Sequence, residues 1–227
     1  MGLTIEPGVS IGPGVDFVPM SVSIVGTPLL DISSLTNWAG ANFYGSPATT
    51  GNYKVFTGSN YIETDAIDNN TLSNNDYTYE FWMRTTGTND GCMLLKKDTG
   101  GYTVSSVEIN NGTLVAGYWA EPQVYNQFGS ITRDQWQHYT VTYTTAANLT
   151  AYINGQSLGA VTLSAELSPR DYNSAFLVFQ LFNFSPTNFG SGAVLTCDFG
   201  EFRMYSRALT GSEVLQNFTA TRGRWGV

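Results

Sequence analysis

The sequence predicts an all-β chain: a two-sheet antiparallel β-sandwich with an extended N-terminal arm and a short C-terminal helix. Three observations carry this. Apolar and polar residues alternate with period two through most of the chain. Pairs that tolerate positive φ, Asn111-Gly112 and Asn154-Gly155, separate alternating runs as hairpin turns do. A clear helix start appears near the end, where Thr210-Gly211-Ser212-Glu213 has the spacing of a capping box ahead of Val214, Leu215 and Phe218. Many evenly spaced strands with few helices argue two sheets packed face to face. A chain of 227 residues, 42% of them hydrophobic, can bury one core, so one main domain over residues 29–227 is expected behind an arm over residues 1–28.

The arm differs from the rest. Pro7-Gly8-Val9 and Pro13-Gly14-Val15 recur at a spacing of six, with Pro19 after them. Proline removes backbone donors and glycine costs entropy, so the segment suits an extended arm better than a sheet interior. Ile5, Val9, Ile11, Val15 and Phe17 are too apolar for a solvated tail and would gain by burial against a neighbouring subunit.

Strand signals then follow in order: Lys54 to Ile62, Tyr77 to Arg84, Cys92 to Lys96, Thr103 to Ile109 and Thr113 to Trp119. The longest pair lies between Asp134 and Gly159, where Tyr139, Val141 and Tyr143 alternate with threonines and Leu149, Ala151 and Ile153 alternate again. Phe176 to Phe184 and Leu195 to Tyr205 complete the set.

Charged residues are only 12% of the chain, about half the usual share. The net charge is −8 and the isoelectric point about 4.4. Without a basic patch the chain lacks the main source of nonspecific nucleic-acid affinity, so no nucleic-acid partner is expected. The longest apolar stretch is about half a membrane span and Met1 to Met20 has no signal-peptide pattern, so no membrane partner is expected either. Two cysteines, Cys92 and Cys197, make no framework, and pairing and simple burial both stay open. Sequons begin at Asn69, Asn111, Asn148, Asn183 and Asn217, marking exposed turns at most.

Several of these segments carry a family's wording. Trp136-x-His138 followed by Val141-x-Tyr143, and then Tyr152-Ile153-Asn154-Gly155, resemble the laminin G-like, concanavalin A-like jelly-roll domains. Phe56, Gly58, Tyr61 and Ile62 resemble the opening of such domains, Tyr77 to Arg84 the next family strand, and Gly200 to Leu209 the closing one. The resemblance implies a concanavalin A-like jelly roll in which Trp82, Trp136, Phe202 and Met204 pack in the interior. Thr210 to Trp225 resembles the tail of such domains in virion proteins of tailed bacteriophages. Taken with the arm, this implies a non-enzymatic virion structural protein, a capsid decoration or tail-attached accessory subunit. Its partners would be other virion proteins through the arm, cell-surface or environmental glycans, and further copies of itself in an oligomer or lattice. A free carbohydrate-binding module and a glycoside hydrolase of the same fold stay open as alternatives.

Chemistry has little to build on. Glu63-x-Asp65 with Asp68 has a passing likeness to a hydrolase Glu-x-Asp-x-x-Glu strand, but parity sends Asp68 to the opposite face, and retaining hydrolases need two carboxyls about 5 to 5.5 Å apart on one face. Asp198 and Glu201 share that parity problem, and one histidine, His138, cannot found a triad or a histidine-rich metal site. No catalytic residue and no cofactor are therefore expected. A structural Ca²⁺ is the one metal to weigh, with Asp65, Asp68, Asn70 and Asp76 offering oxygens in a loop without the spaced register of a self-contained site. Where the family often has a calcium-holding aspartate before Glu201, this chain has Gly200. Sugar binding wants aromatic faces beside amides and carboxylates, a mixture found at Trp119, Glu121, Tyr125, Asn126 and Gln127.

Overall fold

In the computed structural model, residues 22–32, 41–57, 60–65, 67–68, 76–98, 103–118, 124–144, 148–162, 176–181 and 195–227 are described. Their strands are β1 Leu30–Ile32, β2 Ala41–Tyr44, β3 Ala48–Thr50, β4 Tyr53–Phe56, β5 Tyr61–Thr64, β6 Ile67–Asp68, β7 Tyr77–Thr85 and β8 Gly91–Asp98. They continue with β9 Thr103–Asn110, β10 Thr113–Tyr118, β11 Val124–Ser130, β12 Trp136–Tyr143, β13 Asn148–Ile153, β14 Gln156–Thr162, β15 Phe176–Leu181 and β16 Cys197–Tyr205. One helix, α1 Gly211–Thr221, and a 3-10 turn over Arg222–Arg224 end the chain.

The strands form two antiparallel sheets. The first has the order β14-β13-β12-β7-β16-β4-β3 with β1 also beside β16, and the second β11-β10-β9-β8-β15-β5-β2 with β6 beside β15. Period-two alternation decides which residues meet between them. Tyr77, Tyr79, Phe81 and Met83 of β7 and Tyr139, Val141 and Tyr143 of β12 face Val107, Ile109, Leu114 and Ala116 of the second sheet in one buried core. Tyr77 and Tyr143 stack there at 4.4 Å between ring centroids.

Both hairpin signals form as expected. Asn111 and Gly112 at φ +50° and +69° join β9 to β10, and Asn154 and Gly155 at +51° and +76° join β13 to β14. Gly155 is doubly constrained, since a Cβ there would also lie 3.0 Å from Leu215 of the helix. The helix starts at Thr210, whose hydroxyl accepts from the Glu213 N–H while the Glu213 carboxylate accepts from the Thr210 N–H.

Three expectations need correction. Lys54 to Ile62 is not one strand: Asn60 accepts from the Thr57 N–H and donates to the Gly45 carbonyl, turning the chain so that β4 joins the first sheet and β5 the second. Trp82, Phe202 and Met204 are buried, but Trp136 is only partly so, because its parity points it outward under the chain terminus. Asn217 is not in an exposed turn; it lies fully buried in α1. The arm residues Ile5, Val9, Ile11, Val15 and Phe17 lie outside the described residues.

Candidate functional site

Each sheet has an outer face, and the two differ. On the first sheet, parity sends Glu80, Trp82, His138, Glu201, Arg203 and Tyr205 outward, yet all are buried. The covering comes from α1 and the residues after it: Phe218 and Trp225 pack on Trp82, and Val214 packs with Tyr152, Tyr205 and Leu209. The buried carboxylates beneath are paired, as desolvated charge requires. Glu80 accepts from His138 Nε2 at 2.7 Å and from Asn217 Nδ2 at 3.0 Å. Burial alone would raise the Glu80 pKa, but His138, Arg203 and Asn217 outweigh it and hold the carboxyl below its usual range. Trp82 Nε1 donates to Thr221 Oγ1 at 2.8 Å.

Asp198 and Glu201 do share a face, contrary to simple parity, because a bulge between Phe199 and Glu201 inserts Gly200 and resets the alternation. Both are claimed by cations. Asp198 accepts from Arg84 Nε at 2.7 Å, and Glu201 accepts from Arg203 and Arg224. Gly200 itself is roofed by an indole: a Cβ there would fall 2.3 Å from Trp225 Cη2. The space a side chain at position 200 would take is thus filled by an aromatic ring, and the neighbouring Glu201 is paired with arginines. Cys197, two residues before the bulge region, is a free, buried thiol whose pKa burial pushes well up.

The second sheet's outer face carries the sugar-site candidates. Register aligns Tyr125, Gly117, Ser106, Leu95, Gln180, Glu63 and Asn42 in one row across seven strands. A neighbouring row places Gln127 beside Val115 and Glu108. Tyr125 and Gln127 are exposed and share this face, whereas Asn126 between them pairs with Ala116 and so belongs to the core-facing side. Trp119 and Glu121 lie outside the described residues. Glu108 is only 3% exposed, and burial raises its pKa to about 7 despite a hydrogen bond from Ser106.

The sequence reading missed the far end of this face. Tyr44 and Tyr61, paired across β2 and β5, stack at 4.5 Å with ring planes 8° apart, and Tyr44 is 40% exposed. Tyr44 Oη donates to Glu63 at 3.4 Å, and Asn42 Nδ2 to Asp65 at 3.1 Å. The Glu63 charge raises the Tyr44 pKa, so the phenol stays a neutral donor. Alternation in Ala41 to Tyr44 was the available signal, but four residues beside Gly45 read equally well as a turn.

Of the calcium candidates, Asp65 is exposed and bound to Asn42, Asp68 is in β6, and Asp76 precedes β7. Asn70 lies outside the described residues. Among the described residues no group of three or more His, Cys, Asp or Glu side chains converges as metal ligands. Among them also, no helix is long and apolar enough to cross a membrane.

The geometry has counterparts among solved structures. The chain is similar to botulinum neurotoxin type C, in a structure described by cell entry dependent upon two ganglioside molecules, at 15% identity and a TM-score of 0.61, covering 79% of this chain and 46% of that one. It is similar to the receptor-binding domain of the botulinum neurotoxin mosaic serotype C/D at 13% identity and a TM-score of 0.65, covering 85% and 50%. It is similar also to the binding domain of botulinum neurotoxin DC in complex with rat synaptotagmin II, at 13% and 0.61, covering 79% and 46%. The chain spans about half the length of these proteins, and at such identity the likeness shows the fold alone. No curated protein matches the sequence. The profile of the concanavalin A-like lectin/glucanases superfamily, of the laminin G type, matches residues 56–215, from the end of β4 into α1, and the chain belongs to that family.

Proposed function

We propose that this chain is a non-enzymatic, lectin-like sandwich of a phage particle, a capsid decoration or tail-attached accessory subunit, that adheres to glycans through the outer face of its second sheet. One observation carries the binding part: Tyr125 and Gln127 stand exposed together on that face, while the outer face of the first sheet is covered by the C-terminal helix. Trp119 and Glu121 belong to the same candidate set in this reading and lie outside the described residues. The likeness to domains whose descriptions name gangliosides and synaptotagmin supports recognition at a cell surface. Against catalysis stands the pairing of Asp198, Glu201 and Glu80, each held by a cation or histidine rather than poised for a substrate.

In this reading the arm seats Ile5, Val9, Ile11, Val15 and Phe17 against another virion protein, and the sandwich is held as an oligomer or in a lattice. The described end of the arm, residues 22–28, supports this placement. Val25 N–H donates to Asn217 Oδ1 at 2.7 Å and Gln216 Nε2 donates to the Ser23 carbonyl at 3.0 Å, so the chain enters beside α1, on the side away from the second sheet. Anchoring there leaves the glycan face outward. No cofactor is needed, and chelation with EDTA is expected to leave both melting and glycan binding unchanged.

Mass analysis of purified phage particles tests the placement, with absence from them favouring a free carbohydrate-binding module. Val15→Asp is expected to abolish incorporation and leave the isolated protein's melting temperature unchanged, since an unpaired carboxylate is costly in an apolar contact. Incubation with polysaccharides followed by detection of reducing ends tests the absence of hydrolysis. Release of reducing ends would restore the hydrolase alternative.

A further inference from the structure

The glycan reading above assigns one edge of the second sheet; the other edge carries an independent set of groups. Tyr44 and Tyr61 form a rigid two-ring stack, and with one ring face covered by Tyr61, the 40% exposure of Tyr44 leaves ring surface on the outside. Beside it Glu63 and Asn42 supply a carboxylate and an amide on the same face by register. An aromatic plane next to hydroxyl-binding groups suits the apolar face and equatorial hydroxyls of a pyranose. Tyr125 and Gln127 repeat that chemistry on the opposite edge strand.

Six strand spacings separate β11 from β2, about 29 Å at the usual separation of neighbouring strands. A single sugar cannot bridge that gap; a chain of several can. Glu63 and Asp65 at the Tyr44 end, in a chain of net charge −8, disfavour sulfated or uronic polymers. We propose that Tyr44, Tyr61, Glu63 and Asn42 form a second sugar subsite, so that the ligand is a neutral oligosaccharide lying across the strands of the second sheet from Tyr125 to Tyr44. This rests on the glycan reading and adds the length, the charge and the far anchor of the ligand.

The test uses the full chain with cello-, laminari-, manno- and chito-oligosaccharides as dimers and hexamers, and alginate and hyaluronate as anionic probes, by calorimetry. At least one hexamer series is expected to bind at least tenfold more tightly than its dimer. Tyr44→Ala and Tyr125→Ala are each expected to weaken that hexamer about tenfold, and Tyr44→Phe to retain binding, because the ring face rather than the phenol carries the contact. Unchanged melting of Tyr44→Ala, whose side chain is well exposed, checks that the fold is intact. Hexamer affinity that falls with Tyr125→Ala but not with Tyr44→Ala overturns the second subsite and leaves the first standing. Preference for alginate or hyaluronate overturns the neutral chain, and no binding by any probe overturns both the subsite and the glycan reading it rests on.

Discussion

Trp225 lies directly over Gly200: its indole occupies the space in which a Cβ at position 200 would stand, 2.3 Å from Cη2. The same indole is 4.3 Å from the Trp136 ring and 6.1 Å from that of Trp82, so it cannot slide aside without loosening both. Gly200→Ala is therefore expected to cost about 1 to 3 kcal/mol by overpacking, and Gly200→Asp more. Combined with Trp225→Ala, the Gly200→Ala penalty should largely vanish, since the clash is then gone. Additive losses in a double-mutant cycle by urea denaturation would show that the two positions do not meet.

The two strand tryptophans should separate in a stability measurement. Trp82 is fully buried and hydrogen-bonded to Thr221, so Trp82→Ala is expected to cost about 3 to 5 kcal/mol. Trp136 is partly exposed beneath Trp225 and stacked by Arg84 at 5.5 Å, and its truncation should cost about 2 kcal/mol. Equal losses for the two would mean that Trp136 is as deeply enclosed as Trp82.

Why the sequence showed the sandwich and not the whole site follows from the range of each signal. Alternation and Asn-Gly turns act over a few residues, so β9, β10, β12 and β13 with their turns, and the capping box at Thr210, were all readable. The bulge at Gly200 was not, because the indole packed over it, Trp225, lies far along the chain and meets the strand only through folding. Simple parity therefore placed Asp198 and Glu201 on opposite faces when they share one. The burial of Asn217 was hidden for the same reason: its partners Val25, Glu80 and Tyr205 are brought together only by packing of α1 on the sheet. Tyr125 and Gln127 could be named because their neighbours in sequence carry the same chemistry, whereas the Tyr44–Tyr61 stack joins residues of two strands that nothing in the local wording links.

Asn217 is expected to be among the least replaceable polar residues. Its amide donates to Glu80 and Tyr205 and its carbonyl accepts from Val25 N–H. Asn217→Ala leaves a desolvated carboxylate short of a donor and should cost about 3 kcal/mol, within the range for unsatisfied buried polar groups. Faster proteolysis near residues 22–29 is expected as well, because the Val25 clamp is lost. Stability within about 0.5 kcal/mol of the parent would show that these bonds carry little net energy.

The helix cap offers a smaller test. Thr210→Ala removes the side-chain acceptor for Glu213 N–H and should cost about 1 kcal/mol. Arg207 and the Thr210 backbone N–H, both kept in the variant, hold the Glu213 carboxyl below its usual pKa, and the Thr210 hydroxyl adds a smaller contribution, so Thr210→Ala should raise that value only slightly. Carboxyl titration by NMR checks this: a return to the ordinary range would show that the hydroxyl, not Arg207 and the backbone N–H, sets the value.

Glu108 gives the sharpest dependence on pH. Burial raises its folded pKa from 4.5 to about 7, so the native state binds a proton more tightly than the unfolded chain does. Below pH 4.5 both states hold the proton and no penalty exists. Between pH 4.5 and 7 the unfolded chain releases it first, and stability falls as pH rises; above 7 the loss is complete, at up to about 3 kcal/mol. Glu80 has the opposite sign, since its folded pKa is lowered, and its contribution is lost only as pH falls through the acid range below 4.5. The two effects are thus separated on the pH axis. Glu108→Gln keeps the shape without the charge, so it should flatten the decline between pH 5 and 8 and melt higher than the parent at pH 8. A parent whose melting temperature is level or rises across that interval, with Glu108→Gln parallel to it, would mean that the Glu108 carboxylate is solvated in the native protein.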